Sequence, residues 1–296
     1  MSEFHEPQPS SPIVPVQLGL DDKFQFRCHR GIACFNKCCE NIDILLTPYD
    51  ILRLKSRLGL TSREFIERYT VDCTLDAHGM PGLKLKTQEA STACQFLTPE
   101  GCGVYADRPA ACRYYPLGLM AMRKKDSSVE EDSYFVVKEE HCLGHFEPKT
   151  QTIREYRIEQ GVDVYDEINR EWKSIILKKR SSGPALGRPS QRSFDLFFLA
   201  SYDVDGLREF VQSPPFQEVF DIPPQELQEI VSSDVKLLQF GFRLLKQVLF
   251  GERTIAVKPA AVEKRRERYQ RKLREQAERK AQQLAEEQDQ VYDSLD

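Results

Sequence analysis

The stretch CFNKCC at residues 34–39 places three cysteines within six residues, two of them side by side. All nine cysteines of the 296-residue chain lie between Cys28 and Cys142, and residues 143–296 contain none. This one-sided distribution indicates that sulfur serves a local purpose in the first half of the chain.

Eight of the nine cysteines form the candidate ligand set: Cys28, Cys34, Cys38, Cys39, Cys94, Cys102, Cys112 and Cys142. The chain opens with neither a basic segment nor an apolar segment of the kind that directs export. We therefore expect a cytoplasmic protein whose thiols stay reduced and free to bind metal. A disulfide framework is the alternative, and the lack of an export signal disfavours it.

Thiolate sulfur is a soft ligand that selects zinc, copper(I) or iron–sulfur clusters over magnesium and calcium. Four thiolates saturate one tetrahedral Zn²⁺ or one 4Fe–4S cluster, so eight predict two four-ligand sites or one multinuclear site. Cys38 and Cys39 are neighbours whose side chains point in different directions, which favours ligands to separate metals. We expect an iron–sulfur cluster of the 4Fe–4S type, with Zn²⁺ as the other candidate cofactor.

Other residues near the cysteines are weaker candidates. Cys73 is predicted to lie at the end of a helix as a small buried apolar residue. Three histidines can replace cysteine as ligands: His29, His141 and His145. Five cations flank the cysteines and are expected to donate hydrogen bonds to sulfur or to offset thiolate charge: Arg27, Arg30, Lys37, Arg108 and Arg113.

Local signals predict short elements in the first half. Thr47 followed by Pro48 predicts the start of a helix that ends at Gly59, and a capping box from Thr61 to Glu64 predicts a second helix. Beyond Pro148, apolar residues recur at helical spacing, most extensively over residues 225–250. From Glu263 onward the chain is rich in charged residues that favour helix.

The predicted fold class is α+β. A cysteine-rich metal-binding domain with short strands and helices packs on a mainly helical second half, which ends in a long charged helix. We predict a disordered, proline-rich leader at residues 1–20 and a cysteine-cluster domain at residues 21–148. A helical domain at residues 149–256 and a charged helical tail at residues 257–296 follow.

Charge and hydropathy limit the partners. A formal net charge of −4 argues against a nucleic-acid binder, which usually carries a basic domain. No apolar run reaches the roughly 18 residues of a spanning helix, so we expect no membrane partner. The expected partners are metal ions, together with a protein that the charged tail could recruit.

Several motifs resemble, in order, those of the YkgJ-type cysteine-cluster family: CFNKCC at 34–39, LTPYD at 46–50, CQFL at 94–97, CGVYADRP at 102–109 and CRYYP at 112–116. The resemblance covers about residues 24–146 and implies a zinc- or iron-chelating domain. It also implies a ligand set with Cys28 as the eighth member, joining Cys34, Cys38, Cys39, Cys94, Cys102, Cys112 and Cys142. Flagellin lysine methylase, an iron–sulfur protein, is similar in its cysteine pattern.

Three hypotheses for function follow. The first is a cytosolic metal-binding protein that holds iron–sulfur or zinc centres through eight cysteines. The second is an iron–sulfur enzyme related to flagellin lysine methylase, acting by methyl transfer to protein lysine or by redox chemistry. The third is a protein-interaction module whose fold is stapled by zinc.

Overall fold

The computed structural model describes residues 11–123, 130–181 and 189–293. Its cysteine-rich half consists of short elements, in chain order β1 (Lys23–Gln25), α1 (Pro48–Leu58), α2 (Ser62–Tyr69), β2 (Thr70–Thr74), β3 (Pro81–Leu85), β4 (Leu97–Thr98), β5 (Gly101–Cys102), α3 (Ala110–Tyr114), β6 (Leu117–Arg123), β7 (Glu130–Val136) and β8 (Thr150–Thr152). Single turns of 3-10 helix lie at Lys37–Cys39, Tyr105–Asp107 and Leu143–Phe146. The second half is helical, with α4 (Ile153–Gln160), α5 (Val162–Ser181), α6 (Gln191–Tyr202), α7 (Val204–Gln212), α8 (Pro214–Val219), α9 (Pro224–Val231), α10 (Asp234–Phe250) and α11 (Pro259–Asp293).

The strands pair in antiparallel ladders: β1 with β8, β2 with β3, β4 with β5 and β6 with β7. The pairing of β1 with β8 sets Phe24 opposite Gln151, so the beginning and the end of the cysteine-rich half lie side by side. Short antiparallel ladders in one half and helices in the other confirm the predicted α+β class.

Helix α1 begins and ends where the local sequence predicts. The Asp50 N–H donates to the Thr47 hydroxyl at 3.3 Å, and the Thr47 N–H donates to the Asp50 carboxylate at 2.7 Å. Pro48 occupies the first turn, where a missing N–H is tolerated, and Gly59 ends the helix with φ 65°. Helix α2 begins with a capping box of the same kind. Both predicted helix starts are therefore confirmed.

One hydrophobic core joins the two halves. It takes buried side chains from α1, β3, α5, α6 and α10, for example Leu54, Leu83, Trp172, Phe197 and Leu245. Each side chain of this size contributes about 1.5–3 kcal/mol when fully buried. The helical half therefore packs on the cysteine-rich half, as predicted.

A buried ion pair network reinforces this packing. Lys55 on α1 places its Nζ 3.1 Å from Asp205 Oδ2 on α7 and 3.0 Å from Asp234 Oδ2 on α10. Asp203 caps α7 and accepts a hydrogen bond from the Ser62 hydroxyl at 2.6 Å. Lys55 is buried while both of its carboxylate partners are partly exposed, and these contacts fix α1 and α2 against the helical half.

Two local predictions are corrected. Cys73 lies on β2 opposite Gly82 and not at the end of a helix, because α2 ends at Tyr69 and β-branched residues continue the chain as a strand. The apolar pattern of residues 225–250 is divided between α9 and α10. The Ser233 side chain accepts a hydrogen bond from a backbone N–H of α10 and so starts a new helix.

The predicted leader lies partly outside the described residues, which begin at residue 11. In the part that is described, the Val14 and Leu18 N–H groups donate to the carbonyl oxygens of Val136 and Tyr134, at 2.9 and 2.7 Å. Both apolar side chains pack against a smaller hydrophobic core that also contains residues of β6 and β7. Residues 11–20 therefore have regular contacts in a segment that we expected to be disordered.

Helix α11 is the predicted charged helix. Its apolar residues Val262, Tyr269 and Leu273 are exposed, and Arg271 lies 3.8 Å from Glu275 one turn later. Within the described ranges, no helix combines the length and the apolar character needed to cross a membrane.

Candidate metal centre

The first cysteines lie on the loop between β1 and α1. Asn36 adopts the left-handed conformation with φ 72°, which turns the chain into the 3-10 turn Lys37–Cys39. Asn tolerates this conformation better than most residues. The turn places the sulfur atoms of Cys38 and Cys39 4.0 Å apart, so two thiols occupy one corner of the loop.

The backbone joins Cys39 to the second cysteine segment. The Cys94 N–H donates to the Cys39 carbonyl oxygen at 2.8 Å, and the Leu97 N–H donates to the Cys94 carbonyl oxygen at 3.0 Å. Leu97 stands opposite Cys102 in the ladder of β4 and β5. These contacts bring Cys39, Cys94 and Cys102 into one neighbourhood.

Cys112 joins this neighbourhood from α3. Asp50, fully buried in the first turn of α1, accepts a hydrogen bond from the Ala110 N–H at 2.8 Å and holds the start of α3 against α1. Burial raises the pKa of the Cys112 thiol, and repulsion from the Cys94 thiolate raises it further. Burial also raises the pKa of Asp50 to about 6, although hydrogen bonds from Thr47 and Ala110 oppose the increase.

A second neighbourhood contains cysteines from both ends of the region. The Leu143 N–H donates to the Cys34 sulfur at 3.2 Å, and the Arg27 N–H donates to the Gly144 carbonyl oxygen at 3.0 Å. These bonds lay the loop after β1 along the 3-10 turn Leu143–Phe146. They bring together three thiols, those of Cys28, Cys34 and Cys142.

The pKa values of Cys28 and Cys142 in this second neighbourhood depend on the thiols around them. Partial burial raises the pKa of Cys28 to about 11, and repulsion from Cys38, Cys34 and Cys142 adds to the increase. Burial is also the largest cause that raises the pKa of Cys142, with Cys34 and Cys38 contributing. The thiols of Cys28 and Cys142 are therefore harder to ionise than an isolated thiol.

Cys38 lies near thiols of both neighbourhoods. It forms a coupled pair with Cys39, in which the Cys39 thiol donates to the Cys38 thiolate; this lowers the pKa of Cys38 to about 7 and raises that of Cys39. Cys38 also raises the pKa values of thiols on both sides, namely Cys28, Cys142, Cys94, Cys102 and Cys112. Cys38 therefore influences thiols of both neighbourhoods.

Residues 27–143 match the family model CxxCxxCC, described as "Putative zinc- or iron-chelating domain". This segment is similar to the members of that family. The match spans all eight candidate ligands and confirms the resemblance to the YkgJ-type cysteine-cluster family. It supports a metal-binding protein and names zinc and iron equally. No curated protein and no solved structure matches the chain.

Arg108 is a buried cation whose charge affects thiol pKa values in both neighbourhoods. It is 8% exposed, and its guanidinium donates to the Tyr105 carbonyl oxygen at 2.7 Å and to Gln160 Oε1 at 2.6 Å. Among the described side chains it has no carboxylate partner. Its charge lowers the pKa values of the Cys28 and Cys102 thiols, although burial raises both more strongly.

The hydrogen bonds that we predicted from arginine to sulfur are not formed. Arg113 donates to the carbonyl oxygens of Arg108, Gln160 and Ala106, and Arg108 also bonds to oxygen. These bonds tie the segment that carries Cys112 to α4. In the described residues, the influence of Arg108 on the thiols is electrostatic.

Tyr115 is a residue of this site that the sequence analysis missed. Its hydroxyl is buried and lacks a hydrogen-bond partner among the described residues. Cys142 and Glu139 lie near enough to raise its pKa after burial, and Tyr115 in turn lowers the pKa of Cys142. The one sequence signal for this role is that Tyr115 follows Cys112 by three positions.

The histidines make contacts of their own. His29 Nε2 lies 3.2 Å from Glu147 Oε2, and its Nδ1 accepts from the Gly31 N–H. His145 Nε2 lies 3.1 Å from the Val137 carbonyl oxygen, and burial lowers its pKa. His141 lies 3.6 Å from Glu139. The structure therefore provides non-metal partners for all three.

Cys73 is separate from the other cysteines. Burial raises its pKa, and the charged groups that act on it are Lys84, Asp43 and Asp72, with no thiol among them. Because β2 carries it along the ladder with β3, it lies in a different part of the cysteine-rich half.

Thiolate sulfur is the donor that a soft metal prefers, but the described side chains do not converge on one point. In the positions given for the described residues, no three Cys, His, Asp or Glu side chains form a group that could hold a metal ion. Burial and mutual repulsion disfavour several thiolates at once, so a cation would supply the charge that the region lacks.

A surface pocket of about 370 Å³ adjoins the first neighbourhood. Its lining includes Glu40, which follows Cys39, and Leu97, which stands opposite Cys102. The other lining residues are Phe35, Asn36, Gln88, Thr98 and Pro99. This pocket gives small molecules a route to the vicinity of these cysteines.

Proposed function

We propose that this chain is a metal-binding protein that holds iron–sulfur or zinc centres through eight cysteines: Cys28, Cys34, Cys38, Cys39, Cys94, Cys102, Cys112 and Cys142. The proposal is supported by the contacts that join cysteine segments far apart in the chain, from Cys94 to Cys39, across β4 and β5 to Cys102 and from Leu143 to Cys34, while Cys73 lies apart. Soft thiolates bind zinc and iron–sulfur clusters in preference to hard cations. The family description supports the same class of ion.

Iron–sulfur centres are our preferred form. Eight thiols in one region suit polynuclear centres, whereas a structural zinc site is complete with four. When bound, an iron–sulfur cluster supplies electron transfer, and a zinc ion closed by four thiolates supplies folding stability. A cytoplasmic location and domain boundaries at residues 20, 148 and 256 are parts of the same proposal.

Anaerobic purification followed by elemental analysis and a visible spectrum tests the proposal. We expect iron and inorganic sulfide in stoichiometric amounts, with the broad visible absorption of a cluster. A colourless protein with about two zinc ions, one for each four thiolates, would show that the thiolate centres hold zinc and not iron. A chain that binds neither zinc nor iron, even after anaerobic reconstitution, would overturn the proposal.

The pocket beside Cys39 and Cys102 favours an iron–sulfur enzyme as a second candidate. A catalytic metal keeps an exchangeable position that a small molecule can reach, whereas a structural metal is closed by protein ligands. Added cyanide should change the visible spectrum of the iron form if such a position exists. An unchanged spectrum at saturating cyanide would exclude the enzyme hypothesis and leave the metal-binding hypothesis.

A further inference from the structure

The backbone divides the cysteines into two sets before any metal is considered. On one side, the Cys94 N–H bonds to the Cys39 carbonyl oxygen at 2.8 Å, and Leu97 pairs with Cys102 across β4 and β5. On the other side, the Leu143 N–H bonds to the Cys34 sulfur at 3.2 Å. The two sides are connected by the turn Lys37–Cys39 and by the hydrogen bond from Asn36 Nδ2 to the Thr98 carbonyl oxygen at 3.4 Å.

Cys38 and Cys39 lie where the two sets of cysteines meet. Their sulfur atoms are 4.0 Å apart, close to the roughly 3.8 Å that separates two sulfurs of one tetrahedral zinc site, so this distance is compatible with one metal or with two. The backbone favours two metals, because the hydrogen bond from the Cys94 N–H to the Cys39 carbonyl oxygen places Cys39 in the set that contains Cys94. Cys38 is then left to complete the set that contains Cys34, which otherwise has three thiols.

Cys112 lies on the same side as Cys102. The side chain of Arg113, which follows Cys112, donates to the carbonyl oxygens of Ala106 and Arg108 at 2.5 and 3.0 Å, a few residues after Cys102. The segment that carries Cys112 is therefore joined to the segment that begins at Cys102.

We propose that the eight cysteines form two adjacent four-thiolate sites, an outer site from Cys28, Cys34, Cys38 and Cys142 and an inner site from Cys39, Cys94, Cys102 and Cys112. The assignment rests on the proposed metal-binding function and adds which thiols share a centre. The outer site contains the exposed Cys28 and Cys38 together with the buried Cys142, and the inner site contains the buried Cys94.

Charge supports two adjacent sites. Four thiolates around Zn²⁺, or around a 4Fe–4S core of charge 2+, leave a net charge of −2 at each site. Arg108 is a buried cation whose hydrogen bonds go to neutral oxygen atoms, and it acts on one thiol of each set, Cys28 and Cys102. A single guanidinium near both sets offsets part of the charge of both sites.

Substitution of one cysteine from each set tests the assignment. The test compares Cys28→Ser for the outer site, Cys102→Ser for the inner site and Cys73→Ser as the matched control, all reconstituted anaerobically. We expect Cys28→Ser and Cys102→Ser each to lose half of the metal of the unchanged chain and their combination to lose nearly all. Cys73→Ser should keep the full amount.

Cadmium NMR keeps the assignment testable where a variant folds poorly. The unchanged chain, loaded with ¹¹³Cd²⁺ alone, should show two resonances typical of four-thiolate sites. Cys28→Ser should remove or shift one of them and Cys102→Ser the other, while circular dichroism verifies the fold. Cys38→Ser should affect the resonance that Cys28→Ser affects.

The outcomes separate the assignment from the proposed function. A chain that binds neither zinc, iron nor cadmium overturns both. A chain that binds metal, but in which Cys28→Ser and Cys102→Ser affect the same resonance, overturns only the two-site assignment. Loss of both resonances in a folded Cys38→Ser variant likewise overturns it, because it indicates a bridging sulfur in one multinuclear centre.

Discussion

The Leu143 N–H donates a hydrogen bond to the sulfur of Cys34, 109 residues earlier in the chain, at 3.2 Å. This bond joins the first cysteine loop to the 3-10 turn that follows Cys142, the last cysteine. An N–H group that bonds to a ligand atom orients it, and hydrogen bonds of this kind hold metal ligands in position. The two ends of the cysteine-rich region are therefore held together by a contact that also prepares a ligand.

Replacing this donor should weaken metal binding with little change in the backbone. Leu143→Pro removes the N–H, and proline is tolerated at the first position of a helical turn. The preceding residue, Cys142, has φ −89° and ψ 104°, which a following proline permits. We expect metal affinity to fall about 10- to 100-fold in chelator competition. Leu143→Ala, which keeps the N–H, is the control and should bind as the unchanged chain does.

Removing the charge of Arg108 should weaken both proposed sites. Arg108→Gln keeps a side chain that can donate hydrogen bonds to neighbouring oxygens but loses the cation near Cys28 and Cys102. We expect affinity for both metal equivalents to fall about 10- to 100-fold in chelator competition. Arg108→Lys should recover part of this loss. Equal losses in the Gln and Lys variants would show that packing, and not charge, is responsible.

Removing the Tyr115 hydroxyl should have opposite effects on the metal-free and metal-bound forms. Tyr115→Phe deletes a buried group without a hydrogen-bond partner, so the metal-free chain should keep its free energy of unfolding or gain up to about 1 kcal/mol. Metal affinity should fall, because Tyr115 lowers the pKa of Cys142. The fall should be about the same at pH 6 and pH 8, because burial keeps the pKa of Cys142 above 9.0 and its thiol is protonated at both pH values, as measured by competition with a chelator. Tyr269→Phe on the exposed part of α11 is the control.

The metal-free protein should lose stability in alkali. The pKa of Cys28 is about 11 in the folded chain against 9.0 for a free thiol, so between these values the folded state binds more protons than the unfolded state. The free energy of unfolding must then fall as pH rises above about 9. Thermal melting of the metal-free chain should show this decline between pH 9 and 11, above the range in which the lowered pKa of Cys38 acts in the opposite direction. The loaded chain should resist it, since its thiols are already deprotonated, and parallel declines would contradict the reasoning.

Truncation of α11 should leave the rest of the protein intact. The backbone contacts of this region with α8 lie before residue 263, as in the bond from the Lys258 N–H to the Val219 carbonyl oxygen at 2.9 Å. Ending the chain after Val262 should therefore change the melting temperature by less than about 2 °C and leave metal content unchanged. A fall of many degrees would mean that the long helix contributes to the core.

Local elements could be predicted well because their causes lie within a few residues. Thr47, Pro48 and Gly59 define α1 through a cap, a permitted proline and a left-handed glycine, none of which depends on distant contacts. Cys73 was placed on a helix because the competing pairing of β2 with β3 depends on residues ten positions away. Tyr115 was missed because its role depends on where Cys142 lies in space.

The amino-acid sequence alone determined the chemistry available to this protein: a soft donor set, confined to one half, next to a helical half with a charged final helix. Those properties follow from residue type, spacing and local helix signals. Only the tertiary structure decided which thiols are neighbours, because that depends on the β4–β5 ladder, on the bond from Cys94 to Cys39 and on the bond from Leu143 to Cys34. Such contacts join segments whose separation along the chain carries no information about their distance in the fold.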